Sequence, residues 1–169
     1  MKLTEFFRAQ LDREVERSRK ALQQVPEGQF NWKPHEKSMT LGRLAMHVAT
    51  MPIWMADTLK TDGLDMLTAK GPRTDANDLA DLLAEFDRNA ANVREALAAI
   101  DDAALSCEWK VTRGSDVLYT GTRLYVLRVW CLNHLIHHRG QLCVLLRLLN
   151  LPVPTVYFNS ADDPQWVFA

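Results

Sequence analysis

Four stretches of the chain repeat apolar residues with the spacing of an amphipathic α-helix, and this pattern restricts the fold more than any other feature. Serine or threonine residues that can cap a helix precede the second and fourth stretches, and a proline follows the last one. The four predicted helices cover residues from about 3 to 25, from just after 38 or 40 to 59, from about 77 to 100, and from just after 120 or 122 to 150. Long amphipathic helices joined by short to medium loops predict an all-α four-helix bundle.

The segments outside these helices are expected to be small additions to the bundle. Residues 108–120 predict a turn at Gly114 and Ser115 with short extended flanks, and no alternating pattern is long enough for a real sheet. The tail after Leu151 is rich in proline and aromatic residues, so we expect it to be packed. A chain of 169 residues is expected to form a single domain over 1–169. It would have a short irregular insertion before the last long helix and a packed C-terminal tail.

The charges and cysteines of the chain narrow the classes of function. Lysine and arginine number 20 and the acidic residues 21, for a net charge of −1, which argues against a sequence-independent nucleic-acid binder. No charge-free window is long enough for a membrane span, and the N-terminus lacks the apolar core of a signal peptide. The three cysteines show no CxxC spacing, so no disulfide framework is expected. We therefore expect a cytoplasmic protein without nucleic-acid or membrane partners.

The fourth predicted helix carries the most distinctive chemistry of the chain. His134 and His138 lie four residues apart, so both can point the same way and bind one metal ion. A third ligand must come from elsewhere: His47 on the second helix is one candidate, and Cys131, one turn before His134, is a competing one. His137 lies about 60° from His134 and about 100° from His138 around the helix, so it cannot easily share the ion with both. Packed, hydrogen-bonded histidines are the alternative interpretation, because imidazoles on an apolar face need polar partners or a metal.

At these residues the sequence resembles the DinB/YfiT-like superfamily of damage-inducible proteins. The resemblance rests on NHLIHHRGQLCVLLRLLN followed by LPVPTVYFNSAD, and on the earlier segment FNWKPHEKSMTLGRLAMHVATMPIW. It covers about residues 3 to 165. The resemblance implies an up-down-down-up four-helix bundle, often a homodimer, with a divalent metal held by three histidines. Carried over position by position, these ligands are His47, His134 and His138.

The resemblance also implies a class of activity, because some relatives look like thiol-dependent enzymes. It implies a metal-dependent thiol S-transferase, or a related hydrolase or isomerase, acting on a small-molecule substrate with a low-molecular-weight thiol as cofactor. Among the metals that imidazole suits, zinc or nickel is expected. Gln141 and Tyr157 are the candidates for a catalytic role near the open side of the metal. The alternative is a non-catalytic, stress-induced dimer whose metal is structural or incidental. DNA binding is suggested only by the family name, and the balanced charge argues against it.

Overall fold

The computed structural model of the chain describes residues 2–163 and is mainly helical over that range. A short 3-10 turn (Glu27–Gln29) follows the helix that ends at Leu22, and a π-helical segment (Val126–Leu132) connects the two helices that end at Tyr125 and begin at Asn133. The helices are α1 (Leu3–Leu22), α2 (Leu41–Lys60), α3 (Leu79–Ala98), α4 (Asp102–Ser106), α5 (Arg123–Tyr125) and α6 (Asn133–Leu148). Three strands complete the fold: β1 (Gly63–Asp65), β2 (Glu108–Arg113) and β3 (Asp116–Thr122).

The four long helices pack as the predicted bundle. Helix α2 contacts both α3 and α6, and α1 contacts the same two helices from another side. Thr40 and Asp78 begin α2 and α3 as N-caps, each accepting a hydrogen bond from a backbone N–H of the first turn. The apolar faces of these helices meet in one core, which includes the fully buried Phe7, Phe86 and Leu142. In the described part of the chain, no helix is both long and apolar enough to span a bilayer.

The prediction that no real sheet forms is wrong. Strands β2 and β3 form an antiparallel hairpin, and β1 joins β2 in parallel to make a three-stranded sheet. The turn lies at the predicted position, where Gly114 adopts the positive φ of 59° that glycine tolerates best. The strand β1 has three residues, too few for a periodic pattern, and its partner lies more than 40 residues away in sequence.

One buried arginine attaches this sheet to the helices. The Arg123 side chain is 7% exposed and donates hydrogen bonds to the carbonyl oxygens of Thr58, Thr61 and Ala104, at 2.9, 3.0 and 2.6 Å. It also pairs with Asp62 at 2.8 Å. These partners belong to the end of α2, the residues that lead into β1, and α4. The sheet is therefore held at one end of α2.

The last long helix is not the continuous α-helix that the sequence predicts. Thr122 begins it as an N-cap, as expected, but residues Val126–Leu132 form a π-helical segment before α6 starts at Asn133. A π-helical segment contains more residues per turn than an α-helix, so it shifts the faces of the helix on its two sides relative to each other. Residues before and after this segment therefore do not continue a single α-helical face.

The described part of the C-terminal tail is packed, as predicted, while residues 164–169 lie outside the described range. Tyr157 donates to the Glu14 carboxylate at 3.0 Å and accepts from Arg139 at 3.1 Å, which ties the tail to α1 and α6. Arg147 of α6 pairs with Asp162 of the tail.

The ion pair between Glu14 and Arg139 gives a test of this packing. Both side chains are more than nine-tenths buried, at 8% and 1% exposure, and their charged atoms lie 2.5 Å apart. Arg139→Met should lower the free energy of unfolding by about 3 kcal/mol, because it leaves the buried Glu14 carboxylate with only the partly exposed Arg17 as an ionic partner. Urea denaturation measures this.

The matched control is Arg19→Met, which removes an exposed ion pair between α1 and Asp87 of α3. Exposed pairs contribute about 0–1 kcal/mol. The double variant Glu14→Leu/Arg139→Met should recover much of the loss, since neither charge is then left unpaired. Equal effects of Arg139→Met and Arg19→Met would contradict the structural role assigned to the buried pair.

Candidate metal centre

Helix α2 supplies one of the three predicted histidines. The helix begins at its Thr40 cap, whose hydroxyl accepts from the Arg43 N–H at 3.2 Å, and His47 lies two turns further along. Its neighbours Met46 and Val48 are fully buried, whereas His47 itself is partly exposed. His47 therefore lies at the edge of the buried face of α2, where its ring can reach α6.

Helix α6 supplies the other two histidines. His134 and His138 lie one helical turn apart on the face that packs near α2. The Nε2 atoms of His134 and His138 are 2.7 Å apart, and those of His47 and His134 are 3.4 Å apart. One ring nitrogen from each of the three residues lies within 4.8 Å of the others. The structure thus brings together the three histidines that the resemblance implied.

The distance between the His47 and His134 nitrogens fits a divalent metal ion. Three nitrogens bound to one tetrahedral ion at about 2.0–2.1 Å lie about 3.3 Å from one another. The distance between His47 and His134 agrees with this value. The shorter contact between His134 and His138 has hydrogen-bond length, and a metal ion held by both rings would widen it.

A side chain one turn further along α6 fixes the orientation of the His138 ring. The amide oxygen of Gln141 lies 2.7 Å from His138 Nδ1. Because an amide oxygen can only accept, Nδ1 carries the hydrogen and Nε2 keeps its lone pair for a metal. Hydrogen bonds of this kind orient most metal-binding histidines. Gln141, which we predicted near the open side of the metal, therefore contacts a candidate ligand through the ring nitrogen that faces away from the cluster.

The three imidazoles are held in the neutral form that binds metals. Burial lowers the pKa of His47 to about 4, with further contributions from the neighbouring His138 and His134 rings and from Arg43. Burial is also the largest cause of the lowered pKa of His134 and of His138. At neutral pH all three rings are uncharged, so no proton has to be removed from an imidazolium before an ion binds.

Cys131, the competing ligand, is not part of the histidine cluster. Its thiol is buried and lies 3.8 Å from the Thr58 hydroxyl of α2. Burial raises the pKa of this thiol to about 11, which disfavours the thiolate that binds metals. Cys131 lies in the π-helical segment and lines the same cavity as His134, but it does not join the three histidines. Within residues 2–163, the cluster of metal-ligating side chains contains three histidines.

Two other residues that the sequence analysis discussed, His137 and Tyr157, do not belong to the cluster of three histidines. His137 is exposed, and its ring meets the edge of the His138 ring at a centroid distance of 4.9 Å. The Tyr157 hydroxyl is engaged by Glu14 and Arg139, and its ring lines a different surface pocket together with Arg13 and Arg17. The structure therefore does not bring Tyr157 together with the three histidines.

A large cavity adjoins the histidine cluster. Its volume is about 560 Å³, and His47 and His134 form part of its lining. Helix α2, the π-helical segment and all three strands supply the other walls, which are mainly apolar and aromatic. The sequence analysis missed these wall residues because it did not predict the sheet that brings them to α2. A volume of this size suits a small-molecule ligand.

Comparisons with known proteins agree with this fold. No functionally curated protein matches the sequence significantly. Among solved structures, a DinB-like protein from Bacillus cereus ATCC 10987 is similar with a TM-score of 0.72 and 23% sequence identity, over 90% of this chain and 97% of that one. A DinB-like protein (YjoA) from Bacillus subtilis is similar with a TM-score of 0.68 and 18% identity, over 92% of this chain and 96% of that one. At these identities, the likeness concerns the fold alone.

The family assignment comes from the sequence itself. The family model of the DinB superfamily matches residues 10–142, a range that includes His47, His134, His138 and their supporting Gln141. This range is more than half of the chain, which is enough to assign the family. The match also agrees with the mainly helical fold and with the resemblance noted in the sequence. The protein therefore belongs to the DinB superfamily.

Proposed function

We propose that this protein is a metal-dependent enzyme of the thiol S-transferase or isomerase type, with one divalent ion, zinc or nickel, bound by His47, His134 and His138. The observation that carries the proposal is the convergence of three ring nitrogens at the rim of a ligand-sized cavity. Three protein ligands leave one tetrahedral position for water or a thiol, which is the arrangement of catalytic rather than structural zinc sites.

The residues around the proposed site support this chemistry. When bound, a divalent ion held by neutral imidazoles lowers the pKa of a water or thiol at its open position. His47 and His134 belong both to the cluster and to the cavity wall, so a reactant in the cavity lies beside the cluster. His134 is exposed, which leaves a route from solvent for a small thiol. Among residues 2–163, no aspartate or glutamate lines the cavity, so this part of the chain supplies no carboxylate general base to its wall.

The alternative is a non-catalytic, stress-induced dimer with a structural or incidental metal. Structural zinc is normally held by four protein ligands. Among the described residues, Cys131 does not supply a fourth ligand, which favours the proposal of a metal-dependent enzyme. The homodimer, the small-molecule substrate and the lack of nucleic-acid binding remain predictions, and light scattering would measure the oligomeric state.

The metal content of the purified protein tests the site directly. Protein purified without a nickel column should contain about one divalent ion per chain by mass spectrometry, as three converging imidazoles require. His134→Ala should lose this ion. His137→Ala is the matched control, because His137 lies on the same helix but outside the cluster. A wild-type protein without stoichiometric metal would contradict the proposal, and so would equal loss in both variants.

The hydrogen bond from His138 to Gln141 should increase the affinity of the three histidines for the ion. Gln141→Leu removes the acceptor that orients the ring, so the affinity should fall about 10–100-fold. Gln141→Glu keeps an acceptor at the same place and should retain the affinity. Competition with a chromophoric chelator measures both values. An unchanged affinity in Gln141→Leu would show that the ring is oriented by its packing alone.

Thiol-dependent activity is the third consequence of the proposal. Metal-loaded protein is incubated with electrophiles and with glutathione, bacillithiol, mycothiol or coenzyme A, and thiol consumption is followed. We expect turnover with at least one thiol, loss of turnover in His134→Ala, and its retention in His137→Ala. If metal binds but the whole panel gives no turnover, the non-catalytic alternative is favoured.

A further inference from the structure

A second, smaller pocket adjoins His47, on the side of the loop that leads from β1 to α3. Its volume is about 190 Å³, which is enough for one polar group of a ligand but small for a whole one. We call it the Arg43 pocket; its lining consists of Arg43, His47, Thr50 and Trp54 of α2 and residues 71–74 of the loop. His47 and Trp54 also line the larger cavity, so the two spaces meet beside the histidine cluster.

Arg43 brings to this pocket a positive charge that no described residue neutralises. Its side chain is exposed and forms no ion pair with residues 2–163. Arg73, the other arginine of the lining, already donates to both carboxylate oxygens of Asp81. Among the described residues, no aspartate or glutamate lines the pocket. The Arg43 guanidinium therefore remains available for an anion from solution.

The position of Arg43 relates this charge to the histidine cluster. Arg43 and His47 lie four residues apart on α2, so they share a helix face with about 5–6 Å between their Cβ atoms. Burial is the largest cause of the lowered pKa of His47, and the charge of Arg43 contributes as well, so its field reaches this ring. A guanidinium at this position opposes the binding of a cation to the three histidines, because like charges repel. An anion bound between them would offset that repulsion.

We propose that the Arg43 pocket binds a carboxylate of the thiol cofactor, which pairs with the Arg43 guanidinium while the thiol group lies at the histidine cluster. A guanidinium and a carboxylate match in shape and can form two parallel hydrogen bonds. The larger cavity has no lysine or arginine in its described lining, so we place the carboxylate on the Arg43 side and the electrophile in the cavity. This inference rests on the proposed function and deepens it, because it names the group by which the thiol is recognised.

Glutathione and its diethyl ester are a matched pair of probes, since they share the thiol and differ in their two carboxylates. Isothermal titration calorimetry on metal-loaded protein measures both affinities. We expect glutathione to bind about tenfold more tightly than the ester, which is the typical contribution of a hydrogen-bonded pair with a charged group. Equal affinities would overturn the proposal.

Arg43→Met assigns this preference to the guanidinium. It should weaken the binding of glutathione about tenfold and leave that of the ester nearly unchanged. Because Arg43 is exposed and unpaired among the described residues, the variant should fold. Arg113→Met is the matched control, since Arg113 is also exposed and has no ion pair within residues 2–163, but lines neither space. Equal losses in the two variants, or for both probes in Arg43→Met, would contradict the ionic contact.

The affinity for the metal gives a readout that does not involve the thiol. Without thiol, Arg43→Met should bind the divalent ion about threefold more tightly than the wild type, because a positive charge beside His47 is removed. Competition with a chromophoric chelator measures this, and Arg113→Met should match the wild type. A weaker affinity in Arg43→Met would show that Arg43 supports the structure of the cluster, and would overturn the proposal.

Two results separate this inference from the proposed function, when the titrations are repeated on protein treated with a chelator. If no metal binds but glutathione is still preferred to its ester in an Arg43-dependent way, the enzyme is rejected and the pocket assignment stands. Metal binding and turnover without preference for glutathione over its ester would reject the pocket assignment alone. Mycothiol has no carboxylate and coenzyme A carries its negative charges on phosphates, so turnover with either of them alone would also reject the pocket assignment.

Discussion

The buried pair of Arg139 and Glu14 is the constraint on which the geometry of the candidate site depends. Arg139 follows His138 directly, so the two side chains point about 100° apart around α6. Because the guanidinium is fully buried and finds its carboxylate on α1, α6 cannot rotate about its axis without separating two buried charges. With Arg139 turned toward α1, His138 is turned toward His47 of α2, where the ring nitrogens converge. One electrostatic contact in the core thus sets the direction of the imidazoles.

The helical periodicity of the sequence predicts much of this arrangement but not its finer geometry. Apolar spacing predicts the four long helices, and the interval of four residues predicts that His134 and His138 share a face. It cannot reveal the π-helical segment, because an extra residue per turn leaves no signal in a pattern that is read with a period of 3.6. The sequence therefore allowed Cys131 as a ligand on a continuous face, whereas its thiol is buried against Thr58.

Contacts between distant parts of the chain account for what the sequence could not predict. The strand β1 pairs with β2 across the two intervening helices α3 and α4, and its three residues are too few to show alternation. Tyr157 bonds Glu14, which lies 143 positions earlier, so its place in the sequence gives no sign that it faces α1. Such pairings are decided by how the helices dock, which depends on the whole core rather than on any local motif.

Two parts of the fold contribute to the candidate site, the helices and the sheet, and they tolerate substitutions to different degrees. The helices α2 and α6 hold the histidines and also form the bundle core, so their sequences serve both stability and the metal. The sheet supplies cavity walls through Trp109, Leu118 and Tyr119, and most of its outer residues are exposed. Substitutions at exposed sheet residues such as Leu118 can therefore change the shape and polarity of the cavity at little expense to the bundle, since surface changes alter stability only slightly, whereas Trp109 belongs to the buried core. In this architecture helix packing fixes the positions of the three histidines, and the strands supply a separate wall of the adjoining cavity.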